Sequence, residues 1–178
     1  PMRYIIPALL LPAVVIYYWQ VLSTKGFIWN DFIEQNFPYR LFACVWMKKG
    51  VFPFWNPYVF SGMPFFADIQ TALLYPLNLL LVPFASGDWI SPVLVEYQII
   101  IHFLIGGGCM YALGREFTRA RGPSLAAGFI FAFCAFLSMH IFHVNLVHSA
   151  VWFPLVILCT KRMLERLSLI YCCAAALI

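Results

Sequence analysis

The sequence predicts an all-α, polytopic transmembrane helical bundle, one membrane domain over residues 1–178, with a long ordered loop between its first two spans. Three observations predict it. Of 178 residues, 63% are hydrophobic and 10% charged, whereas soluble domains run near half apolar and a quarter charged. So few charges cannot cover a water-facing surface, and a lipid bilayer must supply much of the solvent. Apolar runs of spanning length recur along the chain, and most lysines and arginines fall in the short connections on one side of them. This balance excludes a cytosolic enzyme and a disordered tail. The net charge of +4, spread over a mostly apolar chain, forms no basic groove, so no nucleic-acid partner is expected.

The first span is expected at about 4–21, an apolar run whose strongly polar member is Gln20 and which ends in the aromatic cluster Tyr17, Tyr18 and Trp19. Such rings suit the headgroup level. Lacking a clear small-residue cleavage site, the run reads as a retained anchor rather than a signal peptide. Further spans are expected at about 92–113, 125–142 and 146–160, with a fifth opening at 168. The start at Pro1 and the stop at Ile178, inside a fresh apolar run, lead us to expect the amino-terminal piece of a longer protein.

If the spans alternate, Arg3, then Arg115, Arg119 and Arg121, then Lys161, Arg162 and Arg166 share one side. The other basic residues, Lys25, Arg40, Lys48 and Lys49, are dispersed in the long loop, where they weigh little. The amino terminus is therefore expected in the cytoplasm and the loop outside.

That loop, residues 22–91, is too rich in Trp, Phe and Tyr for a flexible linker. Leu41, Phe42, Val45 and Trp46 recur at helical spacing before the basic stop Lys48-Lys49-Gly50, which predicts an interfacial helix. Pro53, Pro57 and Pro64 then rule out a long helix. Residues 71–84 are apolar but short and interrupted by Pro76, which predicts a re-entrant or interfacial segment.

Polar chemistry converges on the outer side. Asp31, Glu34, Asp68 and Asp88 lie in the loop, and His140, His143 and His148 lie at the turn between the third and fourth spans. On an α-helical turn Asp31 and Glu34 would share a face; Asp31 is either a helix cap or a general base, and the roles are compatible. His140 and His143, three apart, either hydrogen-bond to a neighbouring helix or water, or face a metal or phosphate together. His102, in mid-span, reads as a buried packing or hydrogen-bonding group. Gly106-Gly107-Gly108 lacks the context of a phosphate loop and reads as close helix packing. The cysteines, mostly in apolar runs and without Cys-x-x-Cys, indicate neither a zinc site nor a disulfide framework.

Taken together, Asp31-Phe-Ile-Glu-Gln35-Asn-Phe-Pro38, Gly50-Val-Phe-Pro53-Phe-Trp55-Asn56-Pro57-Tyr58, Gly62-Met-Pro64, Gln70 and Tyr75-Pro76-Leu-Asn78 resemble the first outer loop of the YfhO-like bacterial membrane proteins. His102, Gly107, Tyr111, Arg115, Ala127-Gly128, Phe131-Ala-Phe133, His140, His143 and Trp152-Phe-Pro154 extend the resemblance over most of the chain beyond the first span. It implies a multi-pass protein of the bacterial inner (cytoplasmic) membrane, with the GT-C-like glycosyltransferase fold and an outer active site. The expected partners are a polyprenyl-phosphate sugar donor and a cell-envelope polymer or lipid acceptor.

Under this resemblance Asp31 matches the acidic base or metal ligand, with Glu34 as a less closely matched second acid. A divalent cation is left open, and the residues require none. Arg40, His140, His143 or Lys48 would stabilise the leaving phosphate. Trp29, Trp55 and Tyr58 either stack on sugar rings or anchor the interface; Asn56 and Gln70 complete the substrate-binding set. A transporter or flippase for lipid-linked intermediates would want more polar residues inside the spans than His102 and the border residue Glu96, and a non-catalytic assembly protein would need none of the outer polar set.

The orientation is open to test by scanning cysteines through loop 22–91 against a membrane-impermeant thiol reagent. We expect labelling of the intact cell from outside; protection of the whole loop would invert the topology.

Overall fold

The structure, a computed structural model, describes residues 9–23 and 30–177. Arg3, Lys25 and Trp29, and the first residues of the expected first span, lie outside the described residues. The chain is all-helical: among the described residues there is no strand, only isolated bridges between Asn56 and Met63 and between Ser86 and Trp89. Three helical stretches, Pro92–Thr118, Arg121–Met139 and Val144–Arg166, are long and apolar enough to cross a membrane.

Of the run expected as the first span, the described residues form two short helices, α1 (Leu10–Tyr17) and α2 (Trp19–Leu22). Leu10, Val14, Tyr18 and Val21 are buried while Leu11, Val15, Ile16 and Trp19 are exposed. This i, i+4 stripe packs on the long helix Pro92–Thr118. In the loop, a π-helical turn (Phe32–Asn36) leads into α3 (Phe37–Lys48). Helix α3 buries Tyr39, Arg40, Cys44 and Val45 within the chain. After short turns comes α4 (Pro76–Leu79), between 3-10 turns at Ile69–Thr71 and Val82–Phe84. Residues 71–84 thus break up as the proline pattern requires.

Pro92 opens α5 (Pro92–Thr118), where its missing N–H costs nothing. Arg119, in the left-handed region at φ 53°, ends it. The next span is α6 (Arg121–Ala132) and α7 (Ala135–Met139), broken at Phe133-Cys134 without a proline to explain it. The following one is α8 (Val144–Ala150) and α9 (Phe153–Arg166). Here the cause is Pro154, which lacks a backbone donor and disfavours helix in the residue before it. The chain continues as α10 (Leu169–Leu177).

Helices α5 and α6 touch backbone to backbone. A Cβ on Gly128 would lie 2.8 Å from the carbonyl oxygen of Gly107, and one on Gly107 would lie 3.2 Å from Ala132 Cβ. The glycine run is therefore helix packing at Gly106 and Gly107, while Gly108 faces open space. At the end where α5 finishes, Arg162 Nη2 donates to Glu116 Oε2 at 2.9 Å, and Lys161 lies 3.5 Å from the same carboxylate. The ends of α5 and α9 are joined there.

Gly128→Val forces the carbonyl of Gly107 away. We expect a loss of about 1–3 kcal/mol, read as a lower unfolding midpoint in detergent.

Candidate functional site

At the end where α5 begins, the loop packs against the corner between α7 and α8 and leaves a cleft of about 1210 Å³. That exceeds the volume of most small-molecule pockets. One wall comes from the π-helical turn and residues 69–75, the other from α6 to α9.

The turn decides which side chains face the cleft. Asn30 adopts φ 51°, a conformation asparagine tolerates better than most residues, and turns the chain into Asp31. The i→i+5 bonding that follows widens the turn. Asp31, Gln35 and Asn36 consequently line the cleft together. Glu34, expected to share the Asp31 face, is exposed and absent from the lining; the α-helical spacing behind that expectation does not apply to a π-turn. Nor does the Asp31 side chain cap the helix. Its Oδ2 instead stands 3.3 Å from His143 Nε2, a long contact between two half-exposed groups. Asn36 fixes this approach, its Nδ2 donating to the carbonyls of Asp31 at 3.1 Å and Phe142 at 3.2 Å.

His140 lies beside His143, ring centroids 5.4 Å apart, with its Nδ1 donating to the carbonyl of Phe136 at 2.8 Å. His140 is outside the cleft lining. Among the described residues no group of three or more His, Cys, Asp or Glu side chains is placed to hold a metal. Asp31 and His143 alone would make a poor cation site.

Arg40 is 2% exposed. Its Nη2 donates to Asn145 Oδ1 at 2.8 Å, while Nε and Nη1 have no hydrogen-bond partner among the described residues. Burial pushes its pKa down to about 10, which still leaves the guanidinium charged at neutral pH. Asn145, on the cleft wall, relays this contact by donating through Nδ2 to the carbonyl of Gln70. The Gln70 side chain is exposed at the cleft rim.

The deep end of the cleft is hydrogen-bonded through a phenol. His102 Nδ1 lies 2.6 Å from the carbonyl of Gln98, so it carries the proton and leaves Nε2 an acceptor. The Tyr75 O–H therefore donates to His102 Nε2 at 2.7 Å, and its oxygen accepts from Trp152 Nε1 at 2.9 Å. His148 stacks on His102 at 3.7 Å between centroids, and Tyr75 stacks on His148 at 5.1 Å. Alongside, Gln98 Nε2 donates to Asn78 Oδ1, and Asn78 Nδ2 donates to the carbonyl of Ala72, both at 2.8 Å.

Trp55, Asn56 and Tyr58 are not brought to the cleft. Trp55 packs over Gly62, and Asn56 is buried with its carboxamide oxygen accepting from the Tyr58 backbone N–H at 2.9 Å. Asn56 is thus a turn-former, and the two rings point outward. Lys48 donates to the carbonyl of Pro83, away from the cleft. The residues that sequence reasoning left out of the site are Asn36, Tyr75, Asn145 and Trp152, and His148, read only as one of the outer histidines, stacks at its inner end. The available signal was the amides. An Asn or Gln inside an apolar stretch must find partners once buried, and Asn36, Asn78, Gln98 and Asn145 all do.

No protein-family model, curated protein or solved structure matches the chain.

Removing the Tyr75 hydroxyl strands His102 Nε2 and Trp152 Nε1. Tyr75→Phe should cost about 1–3 kcal/mol, measured as a shifted unfolding curve in mixed micelles.

Proposed function

We propose that the protein is a membrane glycosyltransferase of the GT-C type. It transfers a sugar from a polyprenyl-phosphate donor to a cell-envelope acceptor at the outer face of a bacterial cytoplasmic membrane. The observation that carries this reading is the position of Asp31, facing His143 at the rim of a large cleft that also has an apolar stretch of wall, Phe131, Phe136, Phe153 and Val156. An amphiphilic substrate suits such a cleft, with its polar head at the rim and its tail along the spans. The resemblance of the loop to YfhO-like proteins supports the same reading.

The reaction is one displacement. Asp31 takes the proton of an acceptor hydroxyl as that oxygen attacks the sugar C1. The bond from C1 to the phosphate oxygen breaks, and polyprenyl phosphate leaves with the electron pair, inverting C1. His143 holds Asp31 in place and presents Nε2–H beside it, while Arg40, charged behind Asn145, adds positive potential at the developing phosphate.

A flippase for lipid-linked intermediates is the second reading. The observation that favours it is the number of polar side chains buried along α5 and α8, where Glu96, Gln98, His102 and His148 are all less than a tenth exposed.

A transfer assay with a radiolabelled lipid-linked sugar in membranes separates the two. Asp31→Asn should lower transfer about 10²–10⁴-fold with insertion unchanged, and Glu34→Gln, off the cleft, should lower it far less. Full transfer by Asp31→Asn removes the base assignment. Translocation of the labelled lipid without transfer selects the flippase.

A further inference from the structure

Residues 51–83 contain a single charged side chain, Asp68, and its carboxylate is occupied by the Gln70 backbone N–H at 2.8 Å. The segment is nevertheless folded. Tyr39, Met63, Phe65 and Leu73 form a small core of their own, with Phe65 set edge-on to Phe42 at 4.8 Å, and Asn56 and Met63 exchange both backbone hydrogen bonds at 2.9 Å. Its outer side chains are therefore presented by a rigid base. Phe60 and Ser61 at its tip both take positive φ, 53° and 58°. A bulky residue there is strained, and Phe60 is 84% exposed. Contacts within the chain do little to offset that strain.

Depth identifies what covers this surface. Tyr75 is bonded to His102, six residues beyond Glu96 on α5, and residues 97–114 contain no Asp, Glu, Lys or Arg. Counted from Arg115, the charged end of that stretch, His102 lies about 20 Å along the helix at 1.5 Å per residue, which in a hydrocarbon layer about 30 Å thick leaves Tyr75 about 10 Å below the opposite boundary. Leu74, exposed and next to Tyr75, faces outward from this sunken segment, whereas the exposed Ile69 lines the cleft. Such a depth lies inside the hydrocarbon, and Trp and Tyr rings suit the layer just above it.

We propose that residues 51–75 form a wedge set into the bilayer leaflet at the end where α5 begins. Leu74 contacts acyl chains, and Phe54, Trp55, Tyr58 and Phe60 lie at headgroup level. The wedge holds one wall of the cleft at the lipid boundary whatever reaction the cleft serves.

The test places nitroxides at Leu74→Cys and Phe60→Cys in the full chain, native cysteines replaced, in phosphatidylcholine–phosphatidylglycerol vesicles, with Asp88→Cys as the water-exposed reference. We expect Leu74 to collide with oxygen and be shielded from a water-soluble nickel chelate, with Phe60 intermediate. Nickel accessibility equal to that at Asp88 at both sites puts the segment in water and overturns the proposal. Shielding of both sites from both reagents means protein covers the surface, and overturns it too. A second measurement keeps every native cysteine. Lipids brominated near the headgroup should quench tryptophan emission less in Trp55→Phe than in the parent chain, and equal quenching counts against the wedge.

Discussion

The hydroxyl group of Tyr75 is the point at which the loop is bonded to two of the long helical stretches at once. Because His102 gives its Nδ1 proton to the Gln98 carbonyl, only a donor satisfies its Nε2, and the tyrosine oxygen is then free for the indole of Trp152. The chain of donors runs in one direction only. Bonds of this kind are strengthened where water is scarce, and leaving one unmade there is correspondingly costly. Three parts of the protein meet at that oxygen: the sunken segment, the middle of α5 and the start of α9. A shift of the loop by one residue would break the bonds to His102 and Trp152 and displace the Asn78 and Gln70 contacts with them.

The same economy shapes the rim. The cleft is built with carboxamides where a soluble enzyme would use charges. Asn36 bridges two backbone carbonyls, and Asn145 stands between a buried guanidinium and the Gln70 carbonyl. An amide offers both a donor and an acceptor and does not carry the desolvation cost of an ion. Asp31 and His143, at the mouth, are half-exposed, so solvent offsets much of the cost of burying polar groups there.

The spans were legible because hydropathy is a local property. The expected run at 92–113 lies inside the observed Pro92–Thr118, and the short, proline-broken pieces of residues 71–84 follow from the positions of the prolines. The mid-chain histidine, the close glycines and the polar corner at 140–143 were legible for the same reason. The face of the acidic turn was not. Asp31 and Glu34 pair only if the turn is α-helical, and the wider π-turn puts Gln35 and Asn36 there instead. The Tyr75 and Asn145 contacts join residues 27 to 105 positions apart. No periodicity encodes such pairs. For Trp55 and Tyr58 the sequence left stacking on a sugar or anchoring at the interface open, and the turn at Asn56 directs both rings away from the cleft.

The distances in sequence between these partners also set an order of assembly. The loop is made first, but Asn36 needs Phe142, Arg40 needs Asn145 and Tyr75 needs Trp152. At about 5–20 residues per second, the ribosome needs several seconds between Tyr75 and Trp152. Through that interval an aromatic-rich segment has left the ribosome before its partners exist. It has to be sheltered by the insertion machinery or by lipid, and the buried Arg40 can find its amide only after the last of the three long helices has begun to enter.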